Sequence, residues 1–152
     1  MRATPVRDRP EYCKFRCMTT TTAVARWLVR ILGIILIILG VLFWTGHALQ
    51  LVPLHMLLGL LFVLALWLLA GVAFRAGGLG GFASAVVVWG IIVLVFGMGQ
   101  RTLMPGGAHW VIQVLHLLIG LAAMGVGDRL AGRLTGRAAV APQGSAAAGS
   151  GD

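Results

Sequence analysis

Four long apolar runs restrict this 152-residue chain more than anything else in its sequence. They extend from about Trp27 to Thr45, Leu54 to Phe74, Phe82 to Gly99 and Trp110 to Val126. Each approaches the roughly 20 residues a helix needs to cross the hydrocarbon of a bilayer. The last three contain no Asp, Glu, Lys or Arg. In lipid, backbone N–H and C=O groups must find partners inside the protein, and a single apolar run of this length satisfies them as a helix. Hydrophobic residues make up 59% of the chain and charged residues 11%, far from the roughly half and one quarter of a soluble domain. The expected fold is all-α, a four-transmembrane-helix bundle. Its three short links leave no room for a separate soluble domain. The expected organisation is a flexible segment over residues 1–22, the transmembrane domain over 23–134, and a disordered Ala/Gly/Ser-rich tail over 135–152.

A net charge of +8 can signal nucleic acid, but the positions of the charges argue against that partner. Arg2, Arg7, Arg9, Lys14, Arg16, Arg26 and Arg30 lie before or at the start of the first run. Arg75 lies in the second link, and Arg129, Arg133 and Arg137 follow the last run. Only Arg101 falls in a link on the opposite side. By the positive-inside rule, both termini face the cytoplasm. The expected location is the inner (cytoplasmic) membrane, as a multi-pass protein in contact with the lipid bilayer.

The first run is too long for a signal-peptide core and lacks a small-residue cleavage site, so it reads as an uncleaved span. Met18, followed by four threonines, is an alternative start. Cys13 and Cys17 fall on the cytoplasmic side, where thiols stay reduced. Without a second Cys pair, no zinc site is expected there. Gly33 and Gly40, seven residues apart, share a helix face on which neighbours can approach closely. Pro53 suits the first turn of the second helix, where its missing N–H costs nothing. Arg75 to Gly81 is a Gly-rich hinge. Trp27, Trp44 and Trp110 fit the interfacial aromatic belts, while Trp67 and Trp89 lie deeper, as packing residues.

One phrase occurs twice. Leu54-His55-Met56-Leu57-Leu58-Gly59-Leu60 is matched by Leu115-His116-Leu117-Leu118-Ile119-Gly120-Leu121. The overlay extends backwards, so that Thr45 to His55 lies over Gly106 to His116, with His47 and His109 preceding the two Leu-His pairs. The second and fourth spans both enter from the outside, so the two hairpins are related as parallel repeats about an axis along the membrane normal.

All four histidines of the chain therefore fall in the outer half of the membrane. An ionisable side chain there is costly and usually has a function. The sharpest chemistry is a b-type haem, held by imidazoles from facing helices of the bundle. In the repeat, His55 and His116 form the haem-iron pair. Gly59 and Gly120, one turn further in, leave room for the macrocycle. Arg101, with Gln100 and Thr102, lies at the rim where propionates need donors. Counting depth favours another pairing. His55 stands 20 residues from Arg75, roughly 30 Å of helix, and His116 only 13 from Arg129, roughly 20 Å. If both arginines mark the inner interface, His55 levels with His109. The ligand pair is thus His55 with either His116 or His109, and His47 completes the cluster.

Two other readings of these residues stand beside haem. The histidines can be interfacial caps and interhelical hydrogen-bonding residues, in a non-enzymatic accessory or scaffold subunit of a homo- or hetero-oligomeric membrane complex. Or they can bind copper, with Met56, Met98 and Met104 near the same rim supplying thioethers. Haem would carry single electrons to a membrane redox partner or to a quinone near Gln100, Arg101 and Gln113. A proton-coupled antiporter is not expected, because Asp128 lies at the inner edge and no other carboxylate occurs in the runs. No Ser-His-Asp set, metalloprotease motif or phosphate-binding Gly loop occurs.

Three phrases carry a resemblance over Leu39 to Leu130. They are Phe43-Trp44-Thr45-Gly46, Val52-Pro53-Leu54-His55-Met56-Leu57-Leu58-Gly59-Leu60 and His109-Trp110-Val111-Ile112-Gln113-Val114-Leu115-His116. In these the chain resembles small bacterial four-helix membrane proteins without an assigned activity, which implies the fold class and no chemistry. Through His55, His109 and His116 it is also loosely similar to four-helix b-type cytochromes. That likeness implies haem ligated by paired histidines on neighbouring helices.

Overall fold

The computed structural model describes the backbone of residues 10–100, 102–104 and 106–140, and the side chains of 17–100, 102–104 and 106–137. Among the described residues there are four α-helices, one 3-10 turn and no strand. Helix α1 runs over Pro10–Trp44, α2 over Val52–Ala76, α3 over Gly80–Gly99 and α4 over His109–Val140. All four are long and apolar enough to cross a membrane, the make-up of a multi-pass membrane protein. The short links make successive helices antiparallel neighbours. Helix α1 packs on α2 and α4, α3 also packs on α2 and α4, and α2 meets α4 across the centre.

Two helices outrun the apolar runs that predict them. Helix α1 begins at Pro10, so residues 10–22 are helical where the sequence reads as an unpatterned flexible segment. Once a span is formed, adding a turn costs little, because the nucleus is already in place. The hydroxyls of Thr21 and Thr22 turn back to the carbonyls of Cys17 and Met18, at 2.9 and 2.8 Å, rather than competing for the chain's course. Helix α4 continues to Val140, beyond the expected boundary at Thr135. Residues 1–9 and 141–152, the rest of the expected terminal segments, lie outside the described residues.

The buried core is concentrated toward the end of the bundle that carries the α2–α3 loop. It is built from Val29, Phe62, Val63, Leu66, Leu69, Val86 and Leu130 with several alanines between them. Small residues set the helix spacing here. Gly127 backs onto Leu66 and Val29, Gly90 onto Trp67 and Val63, and Gly33 onto Met124. Gly40, expected to share that role with Gly33, faces no atom within 4 Å of an added Cβ.

Polar contacts tie the same half together. Arg26 and Arg30 of α1 both donate to the Asp128 carboxylate of α4, at 2.9–3.1 Å. Arg137 donates to the carbonyl of Gly77 at 2.6 Å, fastening the end of α4 to the α2–α3 loop. In that loop Gly77 and Gly78 take φ of 72° and 67°, where a side chain would be strained. The indoles of Trp67 and Trp89 donate to the carbonyls of Val87 and Ile119, at 3.3 and 3.2 Å. These two tryptophans therefore pack as expected and also bridge α2 to α3 and α3 to α4. Trp27, Trp44 and Trp110 are exposed at the periphery.

Candidate functional site

The opposite half of the bundle is filled differently. Of the described hydrophobic side chains beyond Phe62 on α2 and Gly90 on α3 toward the α1–α2 link, only Leu39 and Ile112 are buried. This is the half that holds the histidines. A 3-10 turn over Leu49–Leu51 follows Ala48, whose φ of 56° reverses the chain tightly after α1. Val52 and Pro53 then open α2, with proline in the first turn. His55 is thereby placed one turn inside the helix. On α4, whose first residue is His109, His116 stands two turns in.

The structure brings His55 and His116 together. Their ring centres are 6.3 Å apart, across the central α2–α4 contact, with the rings inclined at 49°. Phe43 of α1 meets His55 edge-on at 5.4 Å, and Phe96 of α3 stacks on His116 at 6.2 Å with the rings 12° apart. All four helices thus contribute to the pair. Gly97 of α3 lies against His116, where an added Cβ would come within 3.3 Å of the imidazole. The Nδ1 atoms of both histidines are buried and make no hydrogen bond. A buried polar atom left without a partner costs about 1–3 kcal/mol.

The depth argument that levels His55 with His109 does not describe this geometry. It takes Arg75 and Arg129 as equivalent markers of the inner interface, but Arg137, not Arg129, is the residue that reaches Gly77, two residues beyond Arg75. His55 to Arg75 is 20 residues and His116 to Arg137 is 21, so the two Leu-His phrases come level.

The other two histidines stand apart from the pair. His47 is exposed, with its Nδ1 3.1 Å from the Thr45 hydroxyl. His109 is half-buried at the start of α4, with its Nδ1 3.3 Å from the carbonyl of Leu103. Both have partners within their own link regions. Gly59 and Gly120 each lie one turn further into the bundle than His55 and His116. Each is half-buried, and an added Cβ at either would meet no atom within 4 Å. Arg101 lies outside the described residues. The neighbouring Thr102 hydroxyl donates to the Gly99 carbonyl at 2.8 Å, while Gln100 and Gln113 are half-buried.

The donor set limits what the pair can hold. Among the described residues no group of three or more His, Cys, Asp or Glu is arranged for a metal ion. A structural zinc takes four protein ligands and a catalytic zinc three. A haem iron already has its four ring nitrogens and asks the protein for axial ligands alone. Two imidazoles on opposite sides of one metal, each bonded at about 2.0–2.1 Å, have ring centres roughly 6–6.5 Å apart. The His55–His116 spacing falls in that interval. The thioethers expected for copper do not converge on the pair, since Met56, Met98 and Met104 are all exposed on the bundle's surface.

The aromatic walls, Phe43 and Phe96, and the close approach at Gly97 were not legible as site residues. Phe43 is 12 residues before His55 and Phe96 is 20 before His116, too far for any sequence spacing to connect them. No protein-family model matches the chain, and comparison with the curated proteins and with the solved structures likewise finds no match.

Proposed function

We propose that this chain is a membrane haem protein, with a b-type haem ligated by His55 and His116 and used for one-electron transfer. The observation that carries this reading is the facing imidazole pair at 6.3 Å, with each Nδ1 buried and unpartnered. Histidines serving only as interhelical hydrogen-bonding residues would satisfy each other or a backbone carbonyl. These two do neither, and a ligand that engages a ring nitrogen offsets that cost.

The surroundings support the same reading. The pair lies where the buried core gives out, and Gly59 and Gly120 are open on the adjoining turn. Phe43 and Phe96 hold the imidazoles against rotation and keep water from them. Gln100, Arg101 and Thr102 are the rim residues suited to acidic substituents of the ring. When bound, haem supplies a reversible Fe(III)/Fe(II) couple, and its axial ligands and burial set the potential. The electron partner is a quinone, with Gln113 and Gln100 as candidate donors, or a membrane redox protein docking on the histidine-bearing end.

In this reading the histidine end faces outward and both termini lie in the cytoplasm, as the basic residues argue. The membrane is the bacterial inner membrane. The two hairpins form a parallel repeat, supported by the way the two Leu-His phrases come level on α2 and α4.

The test is the visible spectrum of the full chain purified from a haem-replete host. Dithionite reduction is expected to give a sharpened Soret band and a distinct α band, with about one haem per chain by pyridine haemochromogen. A colourless protein that also fails to take up added haem would overturn the proposal.

A further inference from the structure

At the other end of the bundle, a groove of about 260 Å³ opens between the start of α1 and the end of α2. Trp67, Leu68, Gly71 and Val72 form its apolar floor, and Cys17, Met18 and Thr21 its α1 wall. Arg75 closes the end toward the α2–α3 loop, in the last turn of α2. Leu68, Gly71, Arg75 and Cys17 are exposed, so the groove is open to the surroundings of the bundle. From Trp67 to Arg75 is roughly 12 Å of helix, an apolar trough ending in one fixed positive charge.

No described acid answers that charge. Among the described side chains Asp128 is the only carboxylate, and Arg26 and Arg30 hold it. Arg75 makes no hydrogen bond or ion pair with any described residue. A helix C-terminus also places partly negative carbonyls near Arg75, but these leave its guanidinium N–H groups free for a phosphate. Guanidinium recognises phosphate with paired N–H donors.

We propose that this groove is a binding site for one anionic phospholipid of the surrounding bilayer. An acyl chain lies along Gly71 and Leu68 against the Trp67 ring, and the headgroup phosphate is on Arg75. Charge complementarity at one end and the apolar floor at the other select this occupant. A neutral detergent or a zwitterionic lipid satisfies the floor alone. The occupant is independent of the histidine pair, so the inference stands or falls separately from haem binding.

The test is native mass spectrometry of the full chain released from nanodiscs of mixed phosphatidylglycerol and phosphatidylcholine. The wild type is expected to retain one phosphatidylglycerol in preference to phosphatidylcholine. Arg75→Gln is expected to reduce that preference about fivefold, which corresponds to the roughly 1 kcal/mol of one basic residue at an anionic surface. Gly71→Leu fills the groove, where an added Cβ meets nothing within 4 Å, and is expected to abolish retention of both lipids while helicity is kept. Arg129→Gln, which removes an exposed charge elsewhere, is expected to change nothing. Equal retention of the two lipids overturns the proposal. So does displacement of the lipid by inorganic phosphate alone, or an effect of Arg129→Gln as large as that of Arg75→Gln.

Discussion

The packing account is tested sharply by two glycines on one helix, Gly127 and Gly120 of α4. A Cβ at Gly127 would lie 2.6 Å from a Leu66 methyl and 3.3 Å from a Val29 methyl. Leu66 is 1% exposed and Val29 is fully buried, so neither can swing outward. Val29 is also β-branched and stiff about χ1. Overpacking of this kind costs about 1–3 kcal/mol. Alanine returns up to about 1 kcal/mol of helix propensity over glycine. Gly127→Ala is therefore expected to destabilise the bundle by about 1–2 kcal/mol. At Gly120 an added Cβ meets nothing within 4 Å. Gly120→Ala keeps the propensity gain and should stabilise the haem-free protein by about 0.5–1 kcal/mol. The pair should thus lie about 1.5–3 kcal/mol apart. The assay is reversible unfolding of the haem-free protein in mixed micelles by SDS titration, followed by far-UV circular dichroism. Equal midpoints for the two variants, or a Gly127→Ala protein as stable as wild type, would refute the placement of the α1–α2–α4 contact.

Further outcomes can be checked with similar means. Gly59→Leu and Gly120→Leu should fold with normal helicity yet lower haem content several-fold, measured by pyridine haemochromogen; unchanged content would show that these glycines do not adjoin the cofactor. Asp128→Asn removes the carboxylate shared by Arg26 and Arg30 and should lower the SDS midpoint, while Arg129→Gln, at an exposed position, should leave it in place. Arg137→Ala removes the bond to the Gly77 carbonyl, and amide hydrogen exchange across residues 77–81 should quicken several-fold with no change near His55. Exchange that is unaltered there would show that α4 does not fasten the loop.

Much of the fold was legible because a membrane enforces a simple rule: long apolar runs become helices. Trp67 and Trp89 were also legible as packing residues, since their depth in the runs leaves them little else to do. Helix ends were not legible. The extensions of α1 to Pro10 and α4 to Val140 leave no apolar period, because a helix propagates cheaply past the span that nucleates it. Taking Arg129 as the counterpart of Arg75 levels His55 with His109, whereas the ring contact places His55 beside His116. The repeated Leu-His phrase is the better guide, since its two histidines are the pair whose rings meet. The Arg26–Asp128–Arg30 cluster was missed for a different reason: its partners are about 100 residues apart, and charge counting sees the arginines only as topology signals.

The most direct test of the central claim is haem content across four single variants, His47→Ala, His55→Ala, His109→Ala and His116→Ala, each purified from the same haem-replete host. The pairing of His55 with His116 predicts that those two variants lose the low-spin reduced α band, while His47→Ala and His109→Ala retain about one haem per chain. Loss of the band in His109→Ala with retention in His116→Ala would contradict it.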